Sequence, residues 1–246
     1  MQNPSYQFQT SAQLTSKLAA IDAAQADIQR LRAQQPDRWQ PIQQKLRAEW
    51  TYDSNAIEGS TLTLGETIFF LQEGLTVEGK PFKDFLDARN HAEAIDLLFD
   101  VVAQKRAISE GLIKELNALL LAGVLQQDGS IHHYIEPLQV PLEMQQLCDW
   151  VNSSLNQLHA VTVAGIAHYN MVRIHPFDDG NGRGARILMN LILLIQGYTP
   201  VIVRTTKRRI YLQALAAADR RDIEPFLDFI ADSMLDTQRV ILAELR

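Results

Sequence analysis

The stretch of this 246-residue chain richest in reactive side chains runs from Ile174 to Arg186 and reads IHPFDDGNGRGAR. One histidine, two aspartates, an asparagine, three glycines and two arginines are packed between two apolar segments. Pro176 disfavours helical geometry at His175, so a preceding helix should end there and present the imidazole at the lip of the loop. Gly180, Asn181 and Gly182 can adopt positive φ, which lets successive backbone amides face one concavity, and a helix starting near Gly182 adds its positive dipole end. That combination is a cradle for phosphate. Arg183 and Arg186, three apart, share a helix face above the cradle and offer two guanidinium forks to phosphate oxygens. Asp179 is a hard oxygen ligand for a magnesium ion bridging those phosphates. A base, an anion nest, a metal ligand and two arginines describe transfer of a phosphorus-containing group from a nucleotide. These residues alone do not choose between AMP and a terminal phosphoryl group. A calcium loop is excluded, because placing Asp179 and Asn181 at loop positions 3 and 5 puts Phe177 first and Leu188 twelfth, and neither ligates calcium.

The elements that must position these groups are helical nearly throughout. Leu14, Leu18, Ile21, Ile28 and Leu31 mark an amphipathic helix closed by Pro36, and Trp39, Ile42, Leu46 and Trp50 form the stripe of a second that stops near Gly59. Thr63 and Glu66 form a capping box for the next helix, which Gly74 ends. A longer helix carries Phe85, Leu86, Ala92, Ile95, Leu98 and Phe99. Helical spacing also covers 109–124, 141–158, 160–174, 182–196, 207–220 and 222–245. Strand signals are confined to VIVRTT at 201–206 and to the irregular stretch Gln126–Val140, where Asp128-Gly129 suggests a short hairpin. The expected fold class is an all-α bundle with one non-helical flap. Neither an internal repeat nor a linker divides it.

Composition narrows the function. With 46% hydrophobic and 21% charged residues the chain is an ordinary globular protein, and its longest apolar run, around Ile187–Ile195, is too short to span a membrane. A net charge of -6 argues against a general nucleic-acid binder. The cluster Arg204, Lys207, Arg208 and Arg209 is the local exception, able to receive an anionic partner. The lone Cys148 and the polar N-terminus point to a reducing, cytoplasmic location.

The loop fits the signature HxFx[DE]GNGRxxR at every specified position, from His175 through Phe177, Asp179, Gly180, Asn181, Gly182 and Arg183 to Arg186. The chain therefore resembles the Fic (filamentation induced by cAMP) family, and the likeness extends through AHYNMVRIHPF and ILMNLILLIQGYTPVI and back to about residue 50. The resemblance implies a Fic-type helical bundle with a β-hairpin flap and transfer of AMP from ATP to a Ser, Thr or Tyr hydroxyl of a target protein. It implies that His175 is the general base, that Asp179 holds Mg2+, and that Gly180, Asn181 and Gly182 bind the α- and β-phosphates. Arg183 and Arg186 would hold the β,γ end, and Phe177 would anchor the loop. Tyr211, Leu215 and Asp219 fall where similar proteins form the adenine pocket, although they also fit a helix stripe.

A second motif, Ser54 to Gly59 (SNAIEG), fits the family's inhibitory pattern [ST]xxxE[GN]. By that resemblance Glu58 pairs with Arg186 in the space the γ-phosphate needs, on an inhibitory helix at about 53–59 within an N-terminal region 1–80, ahead of a catalytic core 81–246 with its flap at about 128–140. On a helix Ser54 and Glu58 face the same way, so the hydroxyl can steady the carboxylate. His132 and His133 lack the companions of a zinc site, and His168 reads as a packed helix histidine. Ser60, Thr61 and Tyr52 are candidate self-modification sites, although they read more simply as solvated loop hydroxyls. The expectation is a magnesium-dependent protein adenylyltransferase, autoinhibited, acting on a target protein docked at the flap, with self-AMPylation and a homodimer left open. Its rivals are a de-AMPylating hydrolase, a transferase using another nucleotide donor, and a non-catalytic ATP-binding sensor. A DNA-binding regulator is disfavoured by the charge.

Overall fold

A computed structural model describes residues 6–8, 10–124 and 136–246. Ten α-helices lie among them: α1 (Ala12–Gln34), α2 (Pro36–Ile57), α3 (Leu64–Glu73), α4 (Phe82–Ala103), α5 (Glu110–Leu120), α6 (Val140–Ser154), α7 (Ala160–Ile174), α8 (Asn181–Ile195), α9 (Arg208–Ala218) and α10 (Glu224–Leu245). Local sequence explains their ends. Ser11 and Ser109 cap α1 and α5 through side-chain oxygens that accept from Leu14 and Leu112 amides, and Thr63 with Glu66 closes the expected capping box on α3. Pro36 begins α2 as α1 ends, since proline needs no amide acceptor in a first turn.

α7 and α8 pack against each other at the centre, and α1 lies along α10. A single apolar core runs from Leu14 through Ile95, Ile166 and Leu191 to Leu245, so α1 and α2 share it with the helices that follow. A small second cluster of Leu62, Phe85 and Ala88 seats the start of α4. Thirteen of the fifteen residues of α7 are buried, which explains why its sequence shows little polar periodicity.

One sequence expectation meets a different outcome, and another falls mostly outside the described residues. Residues 201–206 form no strand: Val201 to Arg204 belong to no regular element, and Thr205–Lys207 make a short 3-10 turn. Side chains of the flanking helices satisfy the backbone instead. Asn190 accepts from the Val201 amide at 2.7 Å and donates to its carbonyl at 2.9 Å, Thr237 accepts from Ile202, and Asp53 accepts from Thr205 at 2.8 Å. The hairpin flap, with His132 and His133, lies largely outside the described residues. Of that stretch, Pro137–Gln139 form a 3-10 turn running into α6.

Candidate active site

The loop between α7 and α8 is built as a turn from one buried helix into the next. α7 ends at Ile174, and His175 caps it in the left-handed region at φ 52, its amide donating to the Met171 carbonyl at 3.1 Å. That conformation is uncommon for a residue with a β-carbon and turns the chain sharply at the imidazole. Asn181 fastens the loop on itself, accepting from the Phe177 amide at 3.1 Å and donating to the Phe177 carbonyl at 2.6 Å. Its side chain is thereby occupied, and what Asn181 offers to an anion is its backbone N–H in the first turn of α8. Of Gly180, Asn181 and Gly182, Gly180 alone takes a positive φ (80), and the other two already lie within the helix.

Gly182 leaves room for the end of the Glu58 side chain. A β-carbon there would stand 2.4 Å from Glu58 Oε1. The Glu58 carboxylate thus overhangs the N-terminus of α8, the position an anion would take. It accepts from Arg186 Nη2 at 2.8 Å, and the buried Arg186 also donates through Nε to Ser54 Oγ at 3.0 Å and through Nη2 to the Ser54 carbonyl at 2.8 Å. Ser54 therefore grips Arg186 and does not itself brace Glu58. Glu58 stands just beyond the last residue of α2, where the four-residue helical relation no longer holds. Burial alone would raise the Glu58 pKa, but the guanidiniums of Arg186, Arg183 and Arg208 outweigh it and hold the carboxyl below its ordinary range.

Arg183, also buried, pairs with Asp87 Oδ1 at 2.5 Å and lies 3.8 Å from Asp179 Oδ1. Asp87 is the partner that sequence reasoning missed; it sits on α4, 96 residues earlier in the chain, and its other ion-pair partner is Lys83 at i−4. Asp179 Oδ1 accepts from the Gly180 amide at 2.6 Å, while Oδ2 has no partner among the described residues. No cluster of three metal-ligating side chains occurs among the described residues. This single carboxylate suits an ion that arrives on nucleotide phosphates and keeps waters, and does not suit one caged by protein.

A cavity of about 560 Å³ joins these groups, lined by His175, Asp179, Gly180, Asn181, Gly182 and Arg183, by Glu58, and on the far wall by Ser60, Thr61 and Asp84. Thr61 donates its hydroxyl to Asp84 Oδ2 at 2.7 Å. Tyr211, Leu215 and Asp219 are absent from the lining. Tyr211 is buried beneath Arg186, against which its hydroxyl rests, and that hydroxyl also meets His168 Nε2 at 3.0 Å. Leu215 is buried in the core and Asp219 is exposed at the end of α9. His168 is fully buried and packs on Phe226, so the structural reading of that histidine holds.

The basic cluster is largely consumed in holding α2. Arg204 pairs with Glu49 at 2.6 Å and Asp53 at 3.1 Å, and Arg208 Nε donates to the Ile57 carbonyl at 2.9 Å. Lys207 pairs with Asp236 on α10. The segment 204–208 thus straps the helix that Glu58 caps.

Residues 91–193 match the Fic/DOC family model, so the chain carries a domain of that family. The chain is 35% identical over 237 residues to a protein named protein adenylyltransferase Fic from Drosophila willistoni, covering 90% of this chain and 45% of that protein. It spans about half the length of the curated relatives it matches. Among solved structures it is similar to a Fic domain-containing signalling protein of Bacteroides thetaiotaomicron, with TM-score 0.84, 26% identity, and coverage of 93% of this chain and 96% of that one. Fic-1 of C. elegans gives TM-score 0.85 at 26% identity, with 94% and 71% covered. A complex of IbpAFic2 with adenylylated Cdc42, at 13% identity and TM-score 0.53 with 95% and 73% covered, shares the fold.

Proposed function

We propose that this chain is a protein adenylyltransferase whose own α2 holds it inactive. The observation that carries the proposal is the single cavity uniting His175 at the end of α7, the amide-rich start of α8, Arg183, and Glu58 laid over Gly182. In the reaction, His175 takes the proton from a target hydroxyl as its oxygen attacks the α-phosphorus of ATP. The bond to the β-phosphate oxygen breaks, pyrophosphate leaves, and AMP stays on the side chain. The first-turn amides of α8 orient the phosphates, and Arg183 and Arg186 bind the departing end. Asp179 would hold magnesium, which when bound offsets phosphate charge. The acceptor is a Ser, Thr or Tyr of another protein, as the adenylylated Cdc42 bound to IbpAFic2 suggests by analogy.

Glu58 supplies the inhibition. While it occupies Arg186 and the start of α8, the terminal phosphate of ATP has neither partner. The test is to incubate Glu58→Gly with magnesium and ATP labelled at either the α- or the γ-phosphate. The α label should become protein-bound and the γ label should leave as pyrophosphate. Protein-bound γ label would instead make this a kinase-type phosphoryl transfer.

A further inference from the structure

Among the described residues, the cavity at the loop sets two cations of its lining, Lys83 and Arg183, against the carboxylates of Glu58, Asp84, Asp87, Asp178 and Asp179. A lining so acidic opposes an incoming polyanion unless its cations can meet one. The two cations differ in how they are held. They grip opposite oxygens of one carboxylate, Arg183 Nη1 at 2.5 Å from Asp87 Oδ1 and Lys83 Nζ at 2.7 Å from Asp87 Oδ2. The Arg183 side chain is 4% exposed, whereas that of Lys83 is 41% exposed on the first turn of α4. A cation in a first turn is opposed by the helix dipole, so Lys83 gains nothing from its place on the helix. Moving it off Asp87 gives up an exposed i,i+4 pair, a kind that contributes little, and leaves the buried Asp87 still matched by Arg183.

We propose that Lys83 is a third cation for the β,γ end of the nucleotide, exchanging Asp87 for the pyrophosphate as that group departs. The inference rests on reading this cavity as the site of AMP transfer. A lysine suits the task, because its ammonium is a compact charge on a flexible four-carbon stem and has three donors, of which Asp87 takes one. Arg183 and Arg186 are buried and held by carboxylates, so they fix where the phosphates lie. Lys83 can follow the leaving group. When the bond from the α-phosphorus to the bridging oxygen breaks, that oxygen keeps the electron pair, and the Lys83 ammonium meets the added charge without giving up a proton. AMP has no β-phosphate, so the contact separates a diphosphate from a monophosphate.

The probes are inorganic pyrophosphate and AMP, each titrated calorimetrically with magnesium into the full chain carrying Glu58→Gly, which opens the start of α8 and Arg186. Adding Lys83→Gln should weaken pyrophosphate binding by about tenfold and leave AMP binding unchanged, while Lys83→Arg should hold pyrophosphate to within about threefold. The second readout needs no loss of the lysine. In the Glu58→Gly chain the 13Cε signal of Lys83, identified by its absence in Lys83→Arg, should shift with pyrophosphate and stay in place with AMP. Pyrophosphate affinity unchanged by Lys83→Gln, or an equal loss for AMP, would overturn the contact. Lost affinity with an unmoved Lys83 signal would overturn it too, because Lys83 would then act only through Asp87 and Arg183. Both readouts measure binding without turnover. A Glu58→Gly chain that binds pyrophosphate through Lys83 yet transfers no AMP would therefore leave the contact standing and remove the transferase reading.

Discussion

Arginine 183 and Arg186 are nearly inaccessible, and each has a carboxylate facing it: Asp87 for the first, Glu58 for the second. The two carboxylates differ in what surrounds them. Asp87 is itself buried, so Asp87→Asn leaves an uncompensated buried charge and should destabilise the fold by about 3 kcal/mol, read from denaturant midpoints. The Glu58 side chain is 43% exposed and partly solvated, a pair that can open. Its carboxyl pKa is held below the ordinary value by the three nearby guanidiniums, so the charged pair is fully formed above the ordinary carboxylate range. As pH falls through the depressed pKa the carboxyl takes up a proton and the ion pair is lost. A 13C titration of the Glu58 carboxyl should therefore show a midpoint below the ordinary glutamate value of 4.5, and Arg186→Gln should raise it.

The C-terminal part of helix α2, from Glu49 to Ile57, is held in place by segment 204–208. Arg208 satisfies a carbonyl in the last turn of α2, a cation at the negative end of the helix dipole, and Asp53 ties the same turn to Arg204 and the Thr205 amide. Replacing Arg208 by Gln or Asp53 by Asn should loosen that end and raise basal AMP transfer a few-fold, about what a loss of 1 kcal/mol gives. The gain should vanish in a Glu58→Gly background, where there is no brake left to loosen. Rates measured in the single and paired variants decide it; additive gains would mean the strap acts elsewhere. The same strap explains a misreading in the sequence. VIVRTT has the composition of a strand, but Asn190, Thr237 and Asp53 reach it from three helices and take the hydrogen bonds a partner strand would make. Nothing local in 201–206 announces that, because the acceptors lie 11, 35 and about 150 positions away.

Through the whole molecule, polar groups are sunk in the core where helices cross, and two of them are histidines. Burial pushes His168 down to about 3, with Arg186 adding to the effect, and lowers His91 well below its usual value, so both are neutral in the folded protein. Unfolded, they titrate near 6.5. Below that pH the unfolded chain takes up protons that the fold refuses, and stability falls by up to about 1.4 kcal/mol per pH unit for each histidine. The denaturant midpoint should decline from pH 6.5 downward, and His168→Gln should flatten the slope. The helical architecture was legible from apolar spacing, prolines and caps because those signals are local. The candidate-site loop 174–186 was legible because its residues are contiguous. The contacts that tie the loop to the rest of the fold come from α2, α4 and the strap, and no spacing rule links Asp87 to Arg183 or Arg208 to Ile57. The central claim is that Glu58 restrains a transferase that depends on His175. The most direct measurement compares wild type, Glu58→Gly, and Glu58→Gly combined with His175→Ala for incorporation of α-labelled AMP into protein in the presence of magnesium. The account predicts little label with wild type, an increase of about tenfold or more with Glu58→Gly, and none with the double variant. Equal labelling by wild type and Glu58→Gly, or label that survives the loss of His175, would contradict it.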